Sequence, residues 1–100
     1  MVVKKTEYQL YVINILKDIR ISQKASQAYI SDILGLNSNG QIGNIESPRY
    51  SHKYTIKQIY MLCKEFNFPI EAVFLSEQEL KLEKADIIEC LIKKIIEYDG

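Results

Sequence analysis

Four times along this chain a Ser or Thr is followed, three residues later, by Gln or Glu at the head of an apolar run with helical spacing. The pairs are Thr6 and Gln9, Ser38 and Gln41, Thr55 and Gln58, and Ser76 and Glu79. In such a capping box the hydroxyl accepts the N–H of the third helical residue, whose side chain accepts the N–H of the cap. Two of the orphan donors at a helix start are thereby satisfied together. Helix starts this regular predict an all-α chain joined by short loops. The spacing predicts a first helix from Thr6 to about Gln23, with Tyr8, Val12, Ile15, Leu16 and Ile19 inward. A fourth runs from Ile56 to about Phe66, a short fifth starts at Pro69, and one long helix spans Ser76 to Asp99. The only stretch suited to an edge strand is Met1 to Val3.

The stretch Ser26 to Glu46, SQAYISDILGLNSNGQIGNIE, reads as two short helices and a tight turn. Ser26 caps the first, Ala28, Ile30, Ile33 and Leu34 recur along it at helical spacing, and Gly35 stops it. The second begins at Asn39, with Ile42 and Ile45 inward and Gly40, Gly43, Asn44 and Ser47 on the opposite face. That outer face is uncharged and carries amides, which donate and accept at base edges, and glycines, which allow close approach. An ordinary solvated face would carry Lys and Glu. Each glycine in a helix costs about 1 kcal/mol relative to Ala, so a purely structural helix has little reason to hold two.

The 100 residues, 47% hydrophobic and 26% charged, suffice for one compact core. No apolar run is long enough to span a membrane, and MVVKK lacks the apolar region of a secretory signal, so a cytoplasmic protein is expected. Cys63 and Cys90 lie in apolar helical patterns without a second metal-ligand pair, and read as free thiols. The single His52 sits in the polar loop SPRYSHKY with no nucleophile or paired carboxylate near it in sequence. No catalytic motif is present; no enzyme, metal or cofactor is expected.

Formal charge is zero but unevenly spread: residues 1–75 carry +3 and residues 76–100 carry −3. Between Glu46 and Glu65 there is no acid, while Arg49, Lys53, Lys57 and Lys64 are present. Phosphate contact needs such a locally basic surface, whatever distant charges do, although a solvated loop and helix would look the same.

From Leu16 to Phe74 the chain resembles the XRE-type helix-turn-helix regulators, the fold of the phage Cro and lambda repressor DNA-binding domains. The matching residues are Leu16-Lys17-Asp18-Ile19-Arg20, Ser26-Gln27, Ile30, Leu34-Gly35-Leu36, Ile42 with Ile45-Glu46, the run Ile59 to Phe66, and Ile70-Glu71-Ala72-Val73-Phe74. Gly43-Asn44-Ile45-Glu46-Ser47-Pro48-x-Tyr50 is similar to a Bacteroidetes subgroup of such bacterial regulators. The resemblance implies a five-helix lambda-repressor-like domain over residues 1–75; the long helix within 76–100 lies outside it. It implies base contacts from Asn39, Gly40, Gln41, Gly43 and Asn44, and phosphate contacts from Ser26, Gln27, Ser47, Arg49, Tyr50 and Lys53, with Tyr54 as an alternative to Tyr50. Arg20 and Glu46 match a pair that forms an internal salt bridge in the family. Three departures stand out: a turn one residue longer between Gly35 and Ile42, Ser31 for Ala with Lys24 for Gly, and no Arg on the outer face of the third helix.

The last helix carries Leu80, Ile87, Ile88, Leu91, Ile92, Ile95 and Ile96, a stripe wide enough to cover its own domain and meet a partner. Ile88, Leu91, Ile92 and Ile95 are the expected homodimer contacts, because paired half-sites need two-fold symmetry. The leading expectation is a dimeric transcriptional regulator that binds double-stranded DNA by sequence. The alternative is a protein-interaction module, an antitoxin or adaptor, on the same scaffold.

Overall fold

The computed structural model describes residues 4–38 and 40–100. Met1 to Val3, suited to an edge strand, and Asn39, a candidate base contact, lie outside the described residues. Six α-helices form among the described residues: α1 (Glu7–Ser22), α2 (Gln27–Ile33), α3 (Gly40–Glu46), α4 (Ile56–Glu65), α5 (Ile70–Phe74) and α6 (Lys84–Asp99). The described residues contain no strand. Among the described residues, no helix is long and apolar enough to cross a membrane.

The helix ends follow from local chemistry. Thr6 and Thr55 close full capping boxes with Gln9 and Gln58, all four bonds within 3.0 Å. Ser26 Oγ accepts the Tyr29 N–H at 3.0 Å. Three helices stop in the same Schellman arrangement. At the end of α1, Lys24 N–H bonds Ile21 O and Ala25 N–H bonds Arg20 O; α2 repeats this with Gly35 and Leu36, and α4 with Asn67 and Phe68. The motif needs a left-handed residue, and Lys24 (φ 58°) and Asn67 (φ 51°) hold that conformation where α2 uses Gly35 (φ 69°).

One core joins all six helices: Val12, Ile13 and Leu16 of α1, Ile30 of α2, Ile42 and Ile45 of α3, Ile59 and Leu62 of α4, Val73 and Phe74 of α5, and Tyr98 of α6. Tyr98 is wholly buried, its ring edge-on to Phe74, and its hydroxyl donates to Tyr54 O at 2.8 Å. Tyr54 is itself buried, so it is not available as the flanking phosphate contact offered as an alternative to Tyr50.

Two expected features differ. The continuous helix from Ser76 to Asp99 is interrupted: the Ser76–Glu79 box forms, but opens only a 3-10 turn over Glu79–Lys81. Leu82 and Glu83 are then extended, with ψ 163° and 151°, before α6 begins. Between Leu80 and Ile87 the inward helical positions would be Glu83 and Lys84, and burying two charges there would cost more than breaking the helix. The break also lets Cys90 Sγ donate to Glu79 Oε2 at 3.2 Å. At α3, the expected box does not close. Ser38 Oγ accepts the N–H of Gly40, two residues on, at 3.3 Å, and Gln41 N–H bonds Ser38 O instead. This is a serine turn ahead of the helix, and it leaves the Gln41 side chain exposed and without a capping bond to Ser38.

Candidate nucleic-acid interface

The α2–α3 pair is fixed to the body by one polar cluster. Arg20 Nε and Nη2 donate to the two carboxylate oxygens of Glu46 at 2.8 and 2.9 Å, and Nη1 donates to Ala25 O at 2.9 Å. The side chains are only 13% and 4% exposed, so the ion pair is sheltered and bidentate. Gln27 Nε2 donates to Glu46 Oε1 at 3.0 Å, which joins the start of α2 to the end of α3. The amide of Gln27 is therefore engaged within the protein, and Ser26 spends its hydroxyl on its own helix cap.

The same C-terminal end of α3 is held a second time, by a residue that sequence reasoning counted only as a charge. Lys5 Nζ donates to the carbonyls of Asn44 (3.2 Å), Ile45 (2.7 Å) and Ser47. A cation on the last carbonyls satisfies orphan acceptors and complements the negative end of the helix dipole. Partial burial pulls the Lys5 ammonium below its ordinary range. Nothing local signals this contact, because it joins positions about forty residues apart along the chain.

What α3 leaves outward is uncharged. Gly40 and Gln41 are exposed, Gly43 and Asn44 half-buried, while Ile42, Ile45 and Glu46 are buried. Neither glycine is required by its surroundings. A Cβ at Gly43 would meet its nearest atom, Gln27 Oε1, at 3.7 Å, and one at Gly40 would meet Ser38 Oγ at 3.5 Å. Both are ordinary contacts. Just past α3, Ser47 Oγ accepts the Arg49 N–H at 3.2 Å and shapes a turn that presents Arg49 and Tyr50 to solvent. Tyr50 rests edge-on to His52.

Lys53 is placed differently. Its Nζ donates to Tyr98 O at 3.2 Å and Asp99 O at 2.7 Å, and lies 5.4 Å from the centre of the Tyr98 ring. It thus closes the C-terminus of α6 as Lys5 closes that of α3. The four residues expected at a homodimer contact divide. Leu91 and Ile95 pack against the protein's own core, whereas Ile88 and Ile92 are 51% and 53% exposed, joined by Ile96 at 64%.

No family model, curated protein or solved structure matches the chain.

Proposed function

We propose that the chain is a transcriptional regulator that binds double-stranded DNA by sequence, with α2 and α3 as the helix-turn-helix pair of a lambda-repressor-like domain and α3 as the helix that enters the major groove. One observation carries the reading. A short helix whose C-terminal end is held twice, by the Arg20–Glu46–Gln27 cluster and by Lys5, turns outward a face of amides and glycines that no internal contact requires. Gln41 and Asn44, with Asn39, supply donor–acceptor pairs that suit adenine, and Gly40 and Gly43 let the backbone come close. Arg49, Tyr50 and Ser47 flank the same end of α3 and would take phosphates, as the backbone N–H groups at the start of α2, beside Ser26 and Gln27, would. A dimer would set two such helices on half-sites of two-fold symmetry.

Selection of bound sequences from a random duplex pool, followed by titration over a range of salt, tests this. Affinity should fall steeply as salt rises, and Arg49→Ala should reduce the logarithmic slope by about one. Binding that is absent, or that ignores salt, would remove the proposal. The second reading, a protein-interaction module, is favoured by the occupation of Lys53, whose ammonium is held by the end of α6 and not offered to phosphate. Failure to enrich any duplex sequence would move the function there.

A further inference from the structure

The outward face of α6 is apolar where a solvated helix would be charged. At about 100° per residue, Ile88, Ile92 and Ile96 fall within about 80° of arc, and each is half or more exposed. Ala85 lies on the same strip, and Leu82, 44% exposed, adjoins its start. The helix cannot roll this face inward. Gln9 Nε2 holds Tyr98 O at 2.8 Å, Lys53 holds the last carbonyls, Tyr98 is sealed in the core, and Lys94 sits 5.1 Å from the centre of the Tyr8 ring.

The charges beside the strip are arranged so that they complement a copy of themselves. Glu89 and Lys93, paired at 3.4 Å, run along one flank, while Lys84 opens the other and Asp99 falls on the strip itself at its far end. Suppose two α6 helices pack antiparallel about a two-fold axis at Ile92. Ile88 then opposes the partner's Ile96, Ile92 opposes its own copy, and each flank meets the same flank of the other helix. At about 1.5 Å per residue, Glu89 falls about 3 Å along the axis from the partner's Lys93, and Asp99 about 1.5 Å from the partner's Lys84. A parallel pairing instead brings unlike flanks together and separates the same opposite charges by about 7.5 Å or more.

We propose that the exposed α6 strip is the contact with a second copy of this chain, packed antiparallel about Ile92, with Ile88, Ile92 and Ile96 interdigitated and Glu89–Lys93 pairs crossing the edge. This contact differs from the one expected from sequence, since Leu91 and Ile95 serve the chain's own core. It deepens the DNA-binding reading by naming the partner, but it is testable without DNA.

Sedimentation equilibrium of the full chain in the absence of DNA should give a dimer, and Ile92→Asp a folded monomer with unchanged circular dichroism; Ile92→Lys repeats the test with the opposite charge. For orientation, a Cys90→Ser background carrying Ile92→Cys should cross-link to itself with a short thiol reagent. Ile88→Cys and Ile96→Cys should each stay uncross-linked alone and cross-link when mixed. A monomer for the unmodified chain overturns the proposal and leaves the strip to another protein. Self-cross-linking of Ile88→Cys and of Ile96→Cys, each alone, overturns the antiparallel arrangement. A dimer that binds no duplex would leave this contact standing while the DNA reading falls, and a monomer that binds duplex would do the reverse.

Discussion

Gly43→Ala separates what α3 needs for folding from what it needs for function. Gly43 lies inside a seven-residue helix, and its φ is not in the left-handed region, so alanine fits the backbone without strain. The added methyl would meet Gln27 Oε1 at 3.7 Å, an ordinary contact, and displace nothing. Helix propensity then acts alone and favours alanine by about 0.8–1.0 kcal/mol. In a domain of this size that amounts to a rise in melting temperature of about 4–8 °C, read by thermal denaturation followed by circular dichroism. If α3 enters a groove, the same methyl stands between its backbone and the bases, and affinity for the selected duplex should drop several-fold while stability rises. The opposite signs are the diagnostic. A variant that is more stable and binds duplex as well as the parent would refute the argument that glycine is kept for close approach. A destabilised variant would refute the packing argument itself.

The Arg20–Glu46 pair gives a second test. Glu46→Ala leaves a sheltered guanidinium unpaired and should cost about 3–5 kcal/mol, whereas Arg20→Met with Glu46→Leu together should cost far less, as denaturant titration would show. Lys24→Gly should stabilise by up to about 1 kcal/mol, because it relieves the left-handed Lys24 without touching the Schellman bonds; a loss of stability would contradict that account. Raising the pH should destabilise the fold. Burial pushes the Cys63 thiol from 9.0 up to about 11 and holds the Tyr54 and Tyr98 hydroxyls above their ordinary value. The unfolded chain therefore releases protons first, so stability present below pH 9 is lost as pH rises toward 11. Denaturant midpoints that stay level across that window would contradict it.

The helices and their ends are legible because their causes are local. A capping hydroxyl, an amide three residues on and an apolar spacing of three and four lie within one window for α1 and α4, while α2 shows the Ser26 hydroxyl and the stop at Gly35, and α5 the proline at its start. Even the break before α6 has a local trace, in Glu83 and Lys84 at inward positions. What is not local is the second use of residues already assigned a first one. Gln9 reads as the third residue of a capping box, and its Oε1 does accept Thr6 N–H, but its Nε2 donates to Tyr98 O, 89 residues away. Lys5 and Lys53 read as basic charges and are instead spent on the carbonyl ends of α3 and α6. No spacing rule reports where a flexible lysine finds unpaired carbonyls, since that depends on which helix ends the tertiary fold brings within reach.

The first turn of α1 consequently ties the two outward-facing elements together. Lys5, just before the Thr6 cap, grips the end of α3, and Gln9, four residues later, grips the end of α6. A Glu at position 9 would keep the capping box, since a carboxylate accepts from Thr6 N–H as well as an amide does, but it would set a negative oxygen against Tyr98 O. Gln9→Glu should therefore cost about 1–3 kcal/mol despite an intact cap, and hydrogen exchange should show the loss at the end of α6 before the rest of the fold. Neutral stability would mean that the amide bond to Tyr98 contributes nothing. If two copies pair through α6, the separation and tilt of their α3 helices pass through this joint, and loosening it should weaken binding to paired half-sites more than to a single half-site.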